Sequence, residues 1–178
     1  MYQQVLDFWF EELEPEMWWR KGADLDAEIK TRFHDALKQA QHGELFGWRE
    51  TPAGRLAEII VLDQFSRNIY RDQPESFAQD PMALVLAQEA VAGGVHKQLP
   101  QQQRAFLLLP YMHSESVVIH EQAVPLFKEY TRQTNYDFEL KHKVIIDKFG
   151  RYPHRNEVLG RQSTAEEIEF LKQPGSSF

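Results

Sequence analysis

A basic segment near the C-terminal end, FGRYPHRNEVLGRQST at residues 149–164, stands out in a chain whose formal net charge is -7. Residues 148–161 include four basic residues and one acidic residue. Arginine forks bind carboxylate or phosphate through paired hydrogen bonds, and the tyrosine-proline pair stiffens the backbone that would present them. We therefore expect Arg151 and Arg155 to bind an anion, which is either a ligand or one of the chain's own carboxylates.

The third predicted helix, at residues 51–71, is apolar on nearly all sides, which predicts that it is buried. Two charged residues lie on one apolar face of this helix. Leu56, Ile60, Asp63 and Arg67 follow one another at helical spacing, so they share one side of the helix. An Asp-Arg pair four residues apart is favourable in a helix, and removing one partner from a buried pair leaves an uncompensated charge. Perturbed charged groups also cluster at functional sites. Asp63 and Arg67 are therefore either a structural ion pair or part of a ligand site.

Histidine and arginine side chains are expected to converge at the end of the seventh predicted helix. His142 occupies an apolar face of that helix, where a histidine is more often a satisfied core residue than a base or a ligand. The helix ends two turns later, and the basic segment follows it directly. His142 and His154 are therefore candidates for proton transfer beside Arg151 and Arg155.

The motif HSES at residues 113–116 marks the junction between the fifth and sixth predicted helices. The start of a helix has backbone N–H groups without intrahelical partners and prefers negative charge. A capping role explains the serines and Glu115, but it leaves His113 unexplained. His113 is therefore a third candidate for proton transfer, with Asp63 or Glu115 orienting one of the imidazoles.

A mononuclear metal site is an alternative use of the same side chains. His113, Glu115, His142 and His154 have the imidazole and carboxylate groups that such a site requires. The spacing gives little support, because no H-E-x-x-H motif is present and a single Glu-x-x-His occurs, ending at His142. We therefore assign no metal ligand and no cofactor from the sequence.

Composition and motifs argue against several classes of protein. The chain has no cysteine, no glycine-rich phosphate loop and no Gly-x-Ser-x-Gly elbow of a serine hydrolase. Its acidic balance argues against nucleic acid as a partner, and its longest apolar run is far short of the roughly 20 residues that span a bilayer. The N-terminus has no basic segment before its apolar residues. We expect a cytoplasmic protein that binds neither nucleic acid nor membrane.

Apolar residues recur at helical spacing through nearly the whole chain, and no alternating stretch is flanked by hairpin turns. The pattern predicts one all-α domain over residues 1–178, in which helices with short connections form an array of α-hairpins or an irregular bundle. Thr51, Asp80 and Asn135 are expected to cap helices, and Ser163 is expected to open a capping box.

Four motifs together resemble a known family. They are DFWF near the start, LDQFSRNIYR in the third helix, HSES, and FGRYPHRNEVLGRQSTAEE. In this order, over nearly the whole chain, they resemble the bacterial family catalogued as domain of unknown function 924. The resemblance implies a tetratricopeptide-like array of α-hairpins and no assigned activity. The residues that match the family pattern are Asp63, Arg67, Asn68, His113, Glu115, Arg151, Pro153, His154, Arg155 and Asn156.

Two functions of different classes follow from these residues. The first is a polar pocket for a small anionic ligand or an acidic peptide end, with proton transfer by one of the histidines. Its ligand-binding residues are Arg67, Asn68, Arg151, Arg155 and Asn156. The second is a tetratricopeptide-like interaction module that holds a partner segment in a groove and catalyses nothing. The sequence identifies no substrate and leaves a homo-oligomer open.

Overall fold

The structure is a computed structural model that describes residues 1–177, and every regular element in that range is a helix, which confirms the predicted all-α class. No helix in this range is long and apolar enough to cross a membrane. Short 3-10 turns lie at Pro15–Trp19, Phe46–Glu50, Pro74–Ser76, Val95–Gln98 and Pro153–Arg155. The α-helices are α1 (Tyr2–Asp7), α2 (Ala23–Gln41), α3 (Pro52–Ile60), α4 (Ser66–Ile69), α5 (Asp80–Ala92), α6 (Gln101–Met112), α7 (Val117–Tyr130), α8 (Gln133–Phe149) and α9 (Ala165–Leu171).

The central helix of the fold contains a π-helical turn. α3 runs into this turn at Val61–Phe65, and the chain continues without a break as α4. Residues 56–66 are all buried, as the apolar pattern predicted, and α1, α2, α5 and α6 pack around them. Single π-helical turns within α-helices often mark functional sites. Asp63 lies in the middle of this one.

The apolar core has two parts. The larger part is built on aromatic rings, among which Trp9 contacts Phe65 and Phe106 edge to face at centroid distances of 5.5 and 5.7 Å. The smaller part joins Ile146 of α8 to Tyr152 of the basic segment. This second cluster fixes the basic segment against α8.

α6, α7 and α8 pack against one another in sequence order. α6 continues through Pro110 and α7 through Pro125, so neither proline breaks its helix. Gly150 ends α8 with a φ of 67°, in the left-handed region that favours glycine. The chain then turns and places the basic segment beside the end of α6. The tetratricopeptide-like arrangement of these helices stays a prediction.

One of the predicted helix caps is confirmed and another is wrong. The hydroxyl of Thr51 accepts a hydrogen bond from the N–H of Gly54 at 3.0 Å and caps α3. Asp80 was expected to cap α5, but it is the first helical residue, and its side chain makes no capping hydrogen bond. Its carboxylate is bound instead by arginines from other parts of the chain.

Two further helix starts differ from the sequence prediction by one to three residues. α8 begins at Gln133, so Asn135 lies inside the helix and does not cap it. The capping box of α9 is formed by Thr164 and Glu167, one residue after the predicted Ser163. Adjacent serine and threonine are both good N-caps, so local chemistry alone does not select between them.

Candidate functional site

A pocket with a volume of about 520 Å³ opens between the start of α5, the end of α6 and the residues that follow Pro153–Arg155. This volume is typical of small-molecule sites. We call it the Arg155 pocket. Its polar wall consists of Asp80, His113, Ser114, Glu115 and Arg155, and its apolar wall of Pro74, Phe77, Ala78, Pro81, Leu84, Pro110 and Leu159.

His113 directly follows α6 and is held by a carboxylate of the central helix. Its Nδ1 lies 2.7 Å from Oδ1 of Asp63, whose side chain is 1% exposed. An ionised carboxylate accepts a hydrogen bond, so the pair places the ring proton on Nδ1 and leaves the lone pair on Nε2. Burial lowers the pKa of His113 below its ordinary value, and the effect outweighs the nearby Asp63 charge. The imidazole is therefore neutral near pH 7 and can accept a proton.

Asp63 stays ionised because its neighbours supply positive charge and hydrogen bonds. Burial alone would raise the pKa of this carboxyl, but Arg67 and the hydrogen bonds from His113 and Gln64 outweigh burial and hold the pKa below its usual range. Arg67 Nη1 lies 3.2 Å from Oδ1 of Asp63, and it also donates to the backbone carbonyl of Asp63 at 2.6 Å. The ion pair predicted between these two residues is therefore present.

Arg155 is the cationic group of the pocket wall, and it is 6% exposed. Its Nη1 donates to Oδ2 of Asp80, and its Nη2 donates to the backbone carbonyl of His113, each at 3.0 Å. The guanidinium lies between two aromatic rings, 4.5 Å from the centroid of Phe77 and 4.8 Å from that of Tyr152. These contacts attract the cation and fix its orientation.

Asp80 joins Arg155 to Arg67. The two Nη atoms of Arg67 each donate to one oxygen of Asp80 at 3.0 Å. Burial would lower the pKa of Arg67, but Asp63 and Asp80 outweigh it and raise that pKa. Burial, together with repulsion from Arg67, lowers the pKa of Arg155 despite its contact with Asp80. The charge of Arg155 is therefore less fully compensated than that of Arg67.

Glu115 accepts hydrogen bonds from the basic segment, and His113 is oriented by Asp63 instead. Arg161 donates to both of its oxygens, at 2.6 and 2.9 Å, and the N–H of Tyr152 donates to Oε1 at 2.6 Å. Burial would raise the pKa of Glu115, but these hydrogen bonds outweigh it and hold the pKa below its ordinary value. Glu115 thus connects the end of α6 to the segment that carries Arg155.

Of the five residues that the sequence assigned to ligand binding, four lie outside the pocket wall and Arg155 lines it. Arg67 binds Asp80, and the other three bind elsewhere in the chain. Arg151 donates to both oxygens of Glu167, at 2.7 and 2.8 Å. Asn156 is buried and makes its hydrogen bonds within the C-terminal part of the chain. Asn68 donates to Asp26 of α2 at 2.8 Å. In this structure the three side chains connect elements of the fold.

His142 and His154 lie against the ring of Tyr152, with centroid distances of 5.7 and 5.6 Å. Nδ1 of His142 donates to the backbone carbonyl of Phe138 at 2.7 Å. Burial lowers the pKa of His142 to about 3 and that of His154 to about 4. The two histidines contact the same ring, but neither lines the Arg155 pocket.

A buried ionisable pair was missed by the sequence prediction. Nδ1 of His120 lies 2.7 Å from Oε1 of Glu139, and both side chains are fully buried. Nε2 of His120 lies 2.9 Å from the backbone carbonyl of Ser114. Burial raises the pKa of Glu139. The signal was present in α7, where His120 shares an apolar face with Ala123 and Phe127, three and seven positions later.

The proposed metal ligands do not form a metal site. Within residues 1–177, no group of three or more histidine, cysteine, aspartate or glutamate side chains is arranged to hold an ion. Both oxygens of Glu115 accept hydrogen bonds from Arg161, and Nδ1 of His142 is engaged by a backbone carbonyl. The described side chains therefore offer no ligand set for the mononuclear metal site.

Residues 5–175 match the family described as "Bacterial protein of unknown function (DUF924)", in agreement with the motif resemblance. The chain is also similar to a solved structure, the protein of unknown function ATU0120 from Agrobacterium tumefaciens. The two are 33% identical, the comparison covers 96% of each chain, and the TM-score is 0.91. No curated protein matches the chain. Neither the family nor the solved structure carries an activity that could be compared with the pocket.

Proposed function

The chain belongs to the bacterial DUF924 family of unknown function, and we propose that it binds a small anionic ligand in the Arg155 pocket, where His113 accepts a proton from that ligand. One observation carries the proposal: Arg155 and the Asp63-bound His113 lie in the wall of the same pocket. Arg155 offers positive charge and N–H donors, and His113 offers a proton acceptor in one tautomer. Anion recognition and proton transfer then act on a single ligand.

The Asp63–His113 pair is suited to general base catalysis. A carboxylate that binds Nδ1 keeps the ring in one tautomer and stabilises the imidazolium that forms when Nε2 takes up a proton. The lowered pKa of His113 keeps the ring unprotonated before the ligand binds. A base of this kind acts on an O–H, N–H or acidic C–H group placed next to the bound anion.

The size of the pocket favours a small molecule over an acidic peptide end. Its volume of about 520 Å³ and its partly apolar wall are typical of small-molecule sites. A peptide end bound through several residues would use a longer groove. The tetratricopeptide-like arrangement and the cytoplasmic location remain predictions beside this proposal.

Thermal unfolding of the purified chain with a library of small carboxylates and phosphates tests ligand binding. A ligand present at about a hundred times its Kd stabilises the native state by about 2.7 kcal/mol and raises Tm. Ala78→Trp fills the pocket from an exposed position in its wall, so this variant should lose the shift. Ala27→Trp, at an exposed position of α2, should keep it.

A Tm shift that Ala78→Trp retains would place the ligand elsewhere, and the absence of a shift with every anion would contradict the binding proposal. Proton transfer is tested separately with His113→Asn. The asparagine amide can donate to Asp63 in place of Nδ1, but it has no counterpart of Nε2. In nitrogen NMR spectra of the wild type near pH 7, Nε2 of His113 should be unprotonated, and its resonance should shift when the ligand donates a hydrogen bond to it. A protonated Nε2 in the free chain would contradict the proposed base.

A second candidate function is an interaction module without catalysis, and exposed apolar residues favour it. Val118 of α7 and Phe138 and Val144 of α8 are 61%, 48% and 65% exposed. Exposed apolar patches mark interaction sites when they are contiguous. Light scattering of the wild type and of a Phe138→Ser, Val144→Ser double variant tests whether a second copy of the chain binds there. A monomer in both samples contradicts self-association through these residues.

A further inference from the structure

All three carboxylates at the Arg155 pocket are engaged by donors from the chain itself. Asp80 accepts three hydrogen bonds, all from arginines. Glu115 also accepts three, two from Arg161 and one from the N–H of Tyr152. Asp63 is engaged on both of its oxygens. These acids therefore have little capacity left to bind an ammonium group of a ligand.

Arg155, by contrast, has donors to spare. A guanidinium carries more N–H groups than Arg155 uses, since one donates to Asp80 and another to the carbonyl of His113. Its Nε is buried and has no hydrogen-bond partner within residues 1–177. The lowered pKa of Arg155 agrees with a cation that has lost water without gaining a full set of partners. A negative group in the pocket would compensate the charge of this guanidinium.

The charge balance of the site favours a ligand with one negative charge. The three acids are matched by three arginines, so no excess of positive charge surrounds the pocket. A single under-compensated guanidinium suits a carboxylate, whose planar shape it matches, better than the dianion of a phosphate monoester. The ion pairs that produce this balance join Asp63, Asp80 and Glu115 to Arg67, Arg155 and Arg161.

His113 places one hydrogen-bond acceptor beside that cation. Asp63 engages Nδ1, and no hydrogen-bond partner of Nε2 occurs in the described part of the chain. Nη2 of Arg155 donates to the backbone carbonyl of the same histidine at 3.0 Å, and both residues line the pocket. Nε2 can accept a hydrogen bond from a ligand hydroxyl. An ammonium group at this position would be repelled by the positive charge of Arg155. The nearby carboxylates could not compensate for this, because they already accept hydrogen bonds from the chain.

The opposite wall of the pocket is apolar. Phe77, Leu84 and Leu159 contribute side chains to it, and the volume of about 520 Å³ exceeds what a carboxylate and a hydroxyl require. Burying an apolar tail against this wall is favourable because it removes apolar surface from water. An apolar tail on the ligand would therefore increase its affinity for the pocket.

We propose that the ligand is an α-hydroxycarboxylate with an apolar tail. Its carboxylate binds Arg155, its hydroxyl donates to Nε2 of His113, and its tail packs against Phe77. This inference rests on the proposed function and names the ligand class of the same pocket.

Isothermal titration calorimetry of the wild-type chain with phenyllactate and matched analogues tests the ligand class. Each analogue changes one feature: phenylpropanoate lacks the hydroxyl, phenylalanine replaces the hydroxyl with ammonium, phenyllactamide lacks the charge, and lactate lacks the tail. We expect phenyllactate to bind most tightly and each analogue to bind at least about ten-fold more weakly. Phenyllactamide or phenylalanine binding as tightly as phenyllactate would overturn the inference.

The failure of this inference is distinguishable from failure of the proposed function. If phenyl phosphate binds, Ala78→Trp abolishes that binding and the phenyllactate series does not bind, the ligand class is wrong but the anion pocket stands. If neither these probes nor any anion of the library binds, both are wrong. In His113→Asn, phenyllactate and phenylpropanoate should bind equally, whereas phenyllactamide should remain weaker. A hydroxyl preference that survives in this variant would contradict the contact with Nε2.

Discussion

Asp80 and Arg155 are 75 positions apart in the sequence and form an ion pair of 3.0 Å in the pocket wall. The same carboxylate binds both Nη atoms of Arg67, so two guanidinium groups share one carboxylate at the start of α5. The pocket is thus assembled by contacts between α5, the central helix and the basic segment. Its stability and its affinity for anions depend on the same carboxylate.

Replacing Asp80 by asparagine should lower stability, because the substitution strands two arginines. We expect Asp80→Asn to lower the free energy of unfolding by on the order of 3 kcal/mol, as measured by urea unfolding. Glu75→Gln, at an exposed position in the preceding turn, should change it by less than about 0.5 kcal/mol. Equal effects of the two substitutions would show that the Asp80 pairs add nothing to stability. Binding of monocarboxylates to Asp80→Asn should be tighter than to the wild type, because more of the Arg155 charge is uncompensated.

Buried histidines should make the fold sensitive to mild acid. The pKa of His142 is about 3 in the folded chain, below its ordinary value of 6.5, so the unfolded state binds more protons between these values. The free energy of unfolding should therefore fall as pH decreases below 6.5, by about 1.4 kcal/mol per pH unit for this group. Glu115 and Glu167 have lowered pKa values, so their contribution to the free energy of unfolding is lost only below about pH 4.5.

Urea unfolding of the wild type and of His142→Gln between pH 6.5 and 4.5 gives the contribution of His142 as the difference between the two. His142→Gln should reduce the dependence of the unfolding free energy on pH by about 1.4 kcal/mol per unit. His42→Gln, at a side chain that is 69% exposed, should leave the dependence unchanged. The same dependence in His142→Gln and the wild type would mean that His142 is protonated in the folded chain.

Aromatic contacts should contribute to the placement of Arg155. Phe77 lies 4.5 Å from the Arg155 guanidinium and 5.6 Å from that of Arg67. Phe77→Leu keeps an apolar side chain but removes the ring, so we expect a loss of about 1 kcal/mol in the free energy of unfolding. Phe46→Leu, at a residue that is 71% exposed, is the matched control and should have little effect. No difference between the two variants in urea unfolding would contradict the role of the ring.

Gly54 should not tolerate a side chain, although alanine normally stabilises a helix. A Cβ at this position would lie 2.0 Å from the backbone oxygen of Trp48, which is far inside contact distance. We expect Gly54→Ala to lower Tm, with a cost of about 1–3 kcal/mol for the displaced backbone. Gly47→Ala, which meets no atom within 4 Å, should be tolerated. A Tm of Gly54→Ala at or above that of the wild type would contradict the close approach.

Helical periodicity was sufficient to predict the all-α class and the burial of residues 56–66, because both depend on local spacing. The same burial concealed the π-helical turn. In a helix that is apolar on all sides, the positions of the apolar residues do not show where one extra residue has shifted the helical repeat. Asp80 was predicted to cap α5 because Asp-Pro is a common helix start. The arginines that bind its carboxylate are distant in the sequence, so no local pattern indicates them.

The ion pair of Asp63 and Arg67 was predicted from their spacing, but the other charge pairs of the site join residues that are far apart in the sequence and could not be predicted from it. His113 and Asp63 are 50 positions apart, and both had been selected as candidates. Their residue types suggested chemistry, but only the packing of α6 against the central helix brings them together. The basic segment was open to two interpretations, and its arginines do bind carboxylates of the chain. Arg155 differs from Arg151 in that it also lines the pocket.

The π-helical turn at Val61–Phe65 also bears on changes in chain length. Each residue of a regular α-helix rotates the chain by about 100°, so the same residues wound without this turn would swing α4 and Arg67 by that angle away from Asp80. The turn absorbs the rotation of one additional residue. A chain with one residue fewer here could reach the same alignment with ordinary α-helical winding. Deletion of one residue at this point is therefore compatible with an unchanged pocket, whereas a deletion between Arg67 and Asp80 would have to be absorbed by the loop that carries Phe77.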